Sequence, residues 1–424
     1  LNNLEHLYNS LSFFISKNAG NINDFASRIG SHIEDYKGFV NRLMDLHMAM
    51  DNDNFSLLAI AMHEIWERDP SYIDSVLSGM LEDERWINKE GIIRLVGVIH
   101  NGFLDSDLDS ILMLLSKKKI SLLQLQIGGL SINLRNSLDS EKFIVFLQEV
   151  YNVFGTDACQ FIVESLDYYK YNGDYLPTEF KGLLINILTN PENLLFIFTG
   201  SMKGYHTNRL VHKMDLLPEE SIAIFEAFKI AATLDVHHRL QYDNYASETV
   251  KYLIEKYPNV MLPHVLEAMA QEESIWSAGW MRLLGYGFNG KYGVTPYLFS
   301  KQLDSQIPTY FHDIDQVAQR NIRSCIVEIV SLLDTSNEQI NWSPIIKYFI
   351  DTAVTEEDLE MISLNINNFT WWGNSSDYYG QYVPLFQDLT RHSNPVVCAW
   401  ARKTLDWLNE CIILEKAKEE ELGY

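Results

Sequence analysis

The segment Gly285-Tyr286-Gly287-Phe288-Asn289-Gly290-Lys291-Tyr292 carries the glycines and the lysine of a phosphate-binding loop. In such a loop, backbone N–H groups cradle the phosphates and the lysine reaches over them. The surroundings do not fit that chemistry. Tyr292 stands where a Ser or Thr must hold magnesium, and Gly293 and Pro296 interrupt the helix that should begin there. Residues 276–284 read as helix rather than as the buried strand that precedes a P-loop, so a plain glycine-rich loop is expected.

The other candidates for chemistry are also better explained structurally. Asp105, Asp107 and Asp109 match the first three ligands of a calcium loop, but Ser110 replaces the turn glycine and Ser116 the closing bidentate glutamate. Acidic residues in a helix's first turn are favoured by its dipole, which accounts for the run without a metal. Of the twelve histidines, His63 precedes Glu64 without a second histidine one turn on. His206 and His212 fall on different helix faces, and the adjacent His237 and His238 diverge. Gly200-Ser201-Met202-Lys203-Gly204 has its serine misplaced for a nucleophile elbow. No catalytic residue, metal or cofactor is assigned, and a non-enzymatic chain is expected.

Two groups of residues point instead to binding. Lys203, Tyr205, His206, Arg209, His212 and Lys213 gather positive charge and an aromatic ring in a chain that is otherwise acidic. They form a candidate contact for an acidic or phosphorylated partner. Alternatively, they pair with surrounding carboxylates and solvate a long loop. Trp371, Trp372, Tyr378 and Tyr379 place four large rings on or near a loop, either as an interface or as a plug between the last helices.

These residues need elements to position them, and the 424-residue chain supplies helices. Apolar residues recur at i, i+3, i+4 and i+7, the stripe with which a helix buries one face. Leu58, Ala61, Met62 and Ile65 show it, as do Phe143, Phe146, Leu147, Val150 and Phe154. Phe180, Leu183, Leu184 and Ile187 repeat it, then Val250, Leu253, Ile254 and Tyr257. Asp69-Pro70, Leu217-Pro218-Glu219-Glu220 and Asn394-Pro395 read as helix starts, with Asp105 and Thr156 as further caps. The segment from Leu123 to Ile132 alternates apolar and polar residues around Gly128-Gly129, as a hairpin would. A helix through Leu123, Ile127, Leu130 and Leu134 is preferred, because a lone two-stranded hairpin is marginal.

Short helices in series, with no strand pattern between them, predict an all-α fold of stacked antiparallel helix pairs, an α-solenoid of the HEAT or TPR-like kind. One array over residues 1–424 is expected, with possible sub-blocks at 1–172, 173–290 and 291–424. Lys and Arg total 33 against 57 Asp and Glu, a net charge of −24. A field of that sign repels nucleic acid and anionic lipid and leaves a protein as the expected partner. The longest uncharged stretch, 120–134, is too short and polar to span a bilayer. Four scattered cysteines, Cys159, Cys325, Cys398 and Cys411, read as core residues, and no signal peptide is seen, so a reducing cytoplasm is expected. Leu1 in place of methionine points to a piece of a longer protein.

Near the C-terminus, Phe369-Thr370-Trp371-Trp372-Gly373-Asn374-Ser375, Tyr378-Tyr379, Leu385, Leu389 and Asn394-Pro395-Val396-Val397-Cys398-Ala399-Trp400-Ala401 lead into a charged helix through Trp407 and Leu408. This pattern, over about the last sixty residues, resembles the end of the helical repeat region in large bacterial antiphage defence proteins, among them the antiviral STAND NTPases. The resemblance implies a sensor or scaffold region that recognises a protein, such as a phage protein or an effector subunit. A helical-repeat enzyme acting on nucleic acid, with Lys203, Arg209 and Lys213 guiding the substrate, is the alternative.

Overall fold

A computed structural model describes residues 2–17, 22–50, 55–129, 139–169, 176–199, 203–237, 239–240, 243–272, 279–284, 306–334, 339–367 and 374–422. Over these the chain is all-α, apart from one antiparallel pairing of Leu333–Asp334 with Asn341–Trp342 and a single bridge residue at Phe103. No described helix is long and apolar enough to cross a membrane.

The predicted stripes are the buried faces. Leu58, Ala61, Met62 and Ile65 are closed to solvent in the helix Ser56–Trp66. Phe143, Phe146, Leu147 and Val150 are likewise closed in Ser140–Phe154. Helix starts follow the expected chemistry at three places. Asp69 accepts the Tyr72 N–H at the head of Pro70–Glu82, and Asn394 accepts the Val396 N–H at the head of Pro395–Leu422. Glu220 accepts the Leu217 N–H at the head of Pro218–Leu234. Two expected caps are corrected. Asp105 is the first residue of the helix Asp105–Ser116, and Asp107 takes the Leu104 N–H instead. Thr156 lies inside the 3-10 turn Gly155–Ala158, which runs directly into Cys159–Tyr168. The segment around Gly128-Gly129 contains the helix Leu122–Ile127, started by a reciprocal Ser121–Gln124 capping box. Leu130 and Leu134 lie outside the described residues.

The chain divides into two compact units, Leu1–Ile187 with Tyr205–Asp215, and Leu188–Gly204 with Leu216–Tyr424. In the first, Ile22–His32 packs on Ser56–Trp66, which packs on Ile92–Ile99, which packs on Leu122–Ile127. In the second, Pro191–Phe198, Pro218–Leu234, Pro258–Ala270, Gln316–Ile329 and Glu357–Asn367 each pack on the next. These helices thus pack on elements beyond their immediate chain neighbours, which is how an amphipathic helix finds a second apolar surface.

Many polar bonds between elements span 33 to 41 residues, while others are shorter or longer, such as Arg323 to the Phe349 carbonyl across 26 and Asn321 to the Ala270 carbonyl across 51. The Tyr36 hydroxyl donates to Asp69, 33 residues on, and Arg68 to the Gly30 carbonyl, 38 residues back. His63 Nδ1 is 2.7 Å from the Ile99 carbonyl, 36 residues on, and Gln124 Nε2 donates to Ile87, 37 residues back. In the second unit Asn365 donates to Val327 across 38 residues, Trp400 to Ser363 across 37, and Asn394 to Ala353 across 41. In each case a side chain reaches a polar group on an element two or more helices away.

Candidate binding site

The cationic residues at 203–213 lie on a helix, Lys203–Lys213, rather than on a long loop. Thr207, Leu210, Val211 and Met214 form its buried side. His206, Arg209 and Lys213 stand at i, i+3 and i+7, so the helix presents them on one face. The end of this segment is pinned by two bonds, from the Leu176 N–H to the Lys213 carbonyl at 3.0 Å and from Lys181 Nζ to the Asp215 carbonyl at 2.6 Å.

That face meets Asp167, in the last turn of Cys159–Tyr168. A carboxylate there opposes the negative end of the helix dipole, and its side chain is closed to solvent. Both costs require cations close by. His206 Nδ1 lies 2.8 Å from Oδ2, Arg209 Nη1 lies 3.1 Å from Oδ2, and Lys213 Nζ lies 3.9 Å from Oδ1. Among the described residues Oδ1 accepts no hydrogen bond, so Lys213 serves it by charge alone. The Arg209 guanidinium stands 5.5 Å from the Tyr205 ring, and the His206 ring lies 5.4 Å from both Tyr205 and Tyr168. Burying one carboxylate among three basic side chains is the arrangement that makes a buried charge tolerable.

The structure therefore brings together Tyr205, His206, Arg209 and Lys213 of the residues nominated from sequence, and adds Asp167 and Tyr168. The i, i+3, i+7 spacing could have revealed the shared face. Nothing local could have revealed Asp167, which lies 39 residues from His206. Lys203 opens the helix, but its side chain is outside the described residues, as are Trp371, Trp372, His238 and the segment 285–305. Tyr378 and Tyr379 are buried: the Tyr378 hydroxyl donates to the Ile366 carbonyl and Tyr379 packs edge-on against Trp407. These two tyrosines plug the C-terminal helices.

A second buried cluster surrounds His100, the C-cap of Ile92–Ile99. Its Nδ1 lies 2.7 Å from Asp107 and its Nε2 lies 3.3 Å from Asp74, which also accepts the Trp66 indole N–H at 3.1 Å. Burial alone would push the imidazole's pKa down, but hydrogen bonds and charge from Asp107, then from Asp74, outweigh it and leave it raised. Asp109, the third residue of the acidic run, instead pairs with Lys142 at 2.7 Å. Burial pushes the thiols of Cys159 and Cys325 up to about 12, which makes both poor nucleophiles. Among the described residues no group of His, Cys, Asp or Glu is gathered to hold a metal ion.

Compared with protein-family models, with characterised proteins and with solved structures, the chain matches none.

Proposed function

We propose that this chain is a non-enzymatic helical repeat scaffold that binds another protein, with its helix pairs stacked as an α-solenoid. The observation that carries the reading is a recurrent separation of 33 to 41 residues in many of its tertiary bonds, found in both units. Helix pairs of this length, each burying one face on the next, leave a continuous outer surface suited to a protein ligand. The polar clusters fit that role: Asp167 and His100 join helices, and neither stands beside an activated nucleophile.

The resemblance of the last sixty residues to antiphage defence proteins, antiviral STAND NTPases included, supports a role for the scaffold in bacterial antiviral defence. A phage protein or an effector subunit is then the partner, met in the cytoplasm. The nucleic-acid reading is weakened on two counts, the net charge of −24 and the Asp167 carboxylate, which neutralises part of the charge that Arg209 and Lys213 would offer a substrate.

The test is affinity capture from the source cells with this chain as bait, alongside the Arg209→Gln/Lys213→Gln variant. The scaffold reading expects one stoichiometric protein partner on the wild-type bait. A bait that retains no protein but turns over a nucleic acid would overturn it.

A further inference from the structure

If the chain is a protein-binding scaffold, the Asp167 cluster narrows the chemistry of its partner. Among the described residues one carboxylate faces two permanent cations and an imidazole, so positive charge outnumbers negative in the cluster. The surplus lies on the solvent side: Arg209 keeps 44% of its side chain exposed and Lys213 33%, while the carboxylate keeps none. Asp167 on the inner side and the Tyr205 ring alongside fix the guanidinium before any ligand arrives, which lowers the entropy cost of binding. A planar guanidinium beside an ammonium suits a tetrahedral dianion, which the fork binds through two oxygens while the point charge takes a third. Tyr168, 47% exposed and packed on His206, offers an aromatic wall beside it.

We infer that Arg209 and Lys213, held in place by Asp167, dock a phosphoryl group carried on a side chain of a partner protein. This rests on the scaffold reading. A single phosphoryl group meets the repulsion of the chain's net charge once, whereas a nucleic acid meets it at every phosphate along its length. Asp167 is a positioning residue, and Tyr168 and Tyr205 flank the residues next to the phosphorylated one.

Fluorescence anisotropy on the whole chain tests this with a labelled ten-residue peptide bearing one phosphoserine, with serine and glutamate versions as comparisons. Inorganic phosphate and a single-stranded oligonucleotide serve as competitors. The phosphopeptide is expected to bind at least about tenfold tighter than the serine peptide. That ratio should fall to within about twofold in Arg209→Gln/Lys213→Gln. Because stripping both cations from a buried carboxylate can unfold the chain, the charge-balanced Asp167→Asn/Arg209→Gln/Lys213→Gln is measured too and should lose the preference while melting cooperatively. Asp167→Asn alone should steepen the salt dependence, since the surplus charge grows, yet reduce the phosphoserine-over-glutamate ratio, since the fork loses its anchor. A purely structural role would move neither quantity.

No preference for the phosphopeptide, or a preference retained in the triple variant, overturns the inference. So does competition by the oligonucleotide at lower concentration than by the phosphopeptide, and so does inorganic phosphate binding as tightly as the phosphopeptide. If capture finds a partner whose retention survives phosphatase treatment, the scaffold reading stands and this inference falls. If the peptide binds as expected but the bait retains no protein and turns over a nucleic acid, the scaffold reading falls and the phosphoryl site stands.

Discussion

At the scale of single residues, the acidic run at 105–109 shows how one sequence feature separates into distinct tasks. Asp105 accepts the Asp139 N–H, Asp107 caps its own helix and pairs with His100, and Asp109 pairs with Lys142. The run is legible as a helix start. Its link to His100 is not, because a histidine seven residues upstream becomes a partner only when the Asn101-Gly102 turn, with both residues at positive φ, folds it back. The link gives a pH signature. The folded-state pKa of His100 is raised, so its contribution to stability is complete below the unfolded value of about 6.5 and is lost as pH climbs through the folded value. Urea unfolding of wild type and His100→Gln between about pH 5.5 and 8.5 should show a stability difference that is largest at the acid end and shrinks towards the alkaline end. A constant difference across that range would mean that folding leaves the His100 pKa unshifted, and one that shrinks towards the acid end would mean that folding lowers it.

At the scale of elements, most helices can be read from their apolar stripes, while the closeness of their packing cannot. Gly30, in Ile22–His32, is the clearest case. A Cβ there would meet the Ala61 carbonyl oxygen at 2.7 Å and Glu64 Cβ at 2.8 Å. Glu64 also accepts hydrogen bonds from Ser27 and Ser31, which draws the two helices together. Gly79, in Pro70–Glu82, has open space at the same position. Gly30→Ala should therefore destabilise by about 1–3 kcal/mol through overpacking. Gly79→Ala should stabilise by roughly 0.4–1 kcal/mol, through the lost freedom of the unfolded chain. Thermal melts of the two variants should move in opposite directions, and a shared direction would contradict the packing described for Gly30. The helix Lys203–Lys213 is hard to tell from a loop by sequence for a related reason: its cations dominate the composition, and its buried side is narrow, with Leu210, Val211 and Met214 clustered at its end.

At the scale of the whole molecule, charge sets the terms of association. With 57 acidic against 33 basic residues, the chain repels polyanions, and its most conspicuous basic cluster is partly quenched by Asp167. Neither duplex DNA nor single-stranded RNA should be retarded by this protein in native gels, even at about 25 mM salt, where screening is weak and phosphate contacts are strongest. A salt-sensitive shift would reinstate the nucleic-acid reading.

That the chain is helical, where its principal stripes lie, several of its helix starts and the sign of its field are all legible from the residues alone. Each follows from neighbours within one or two turns or from composition, and none depends on where the chain returns. It took the packed chain to show that the Asp167 carboxylate is closed to solvent, that His100 is held between two others, and that Tyr378 and Tyr379 face inward. Those outcomes depend on residues that in most cases lie a helix pair or so apart, and an aspartate in a helix's last turn has the same local sequence whether it meets water or three basic side chains. Its partners are chosen by how the amphipathic helices stack, an energy spread over many buried side chains and written at no single position.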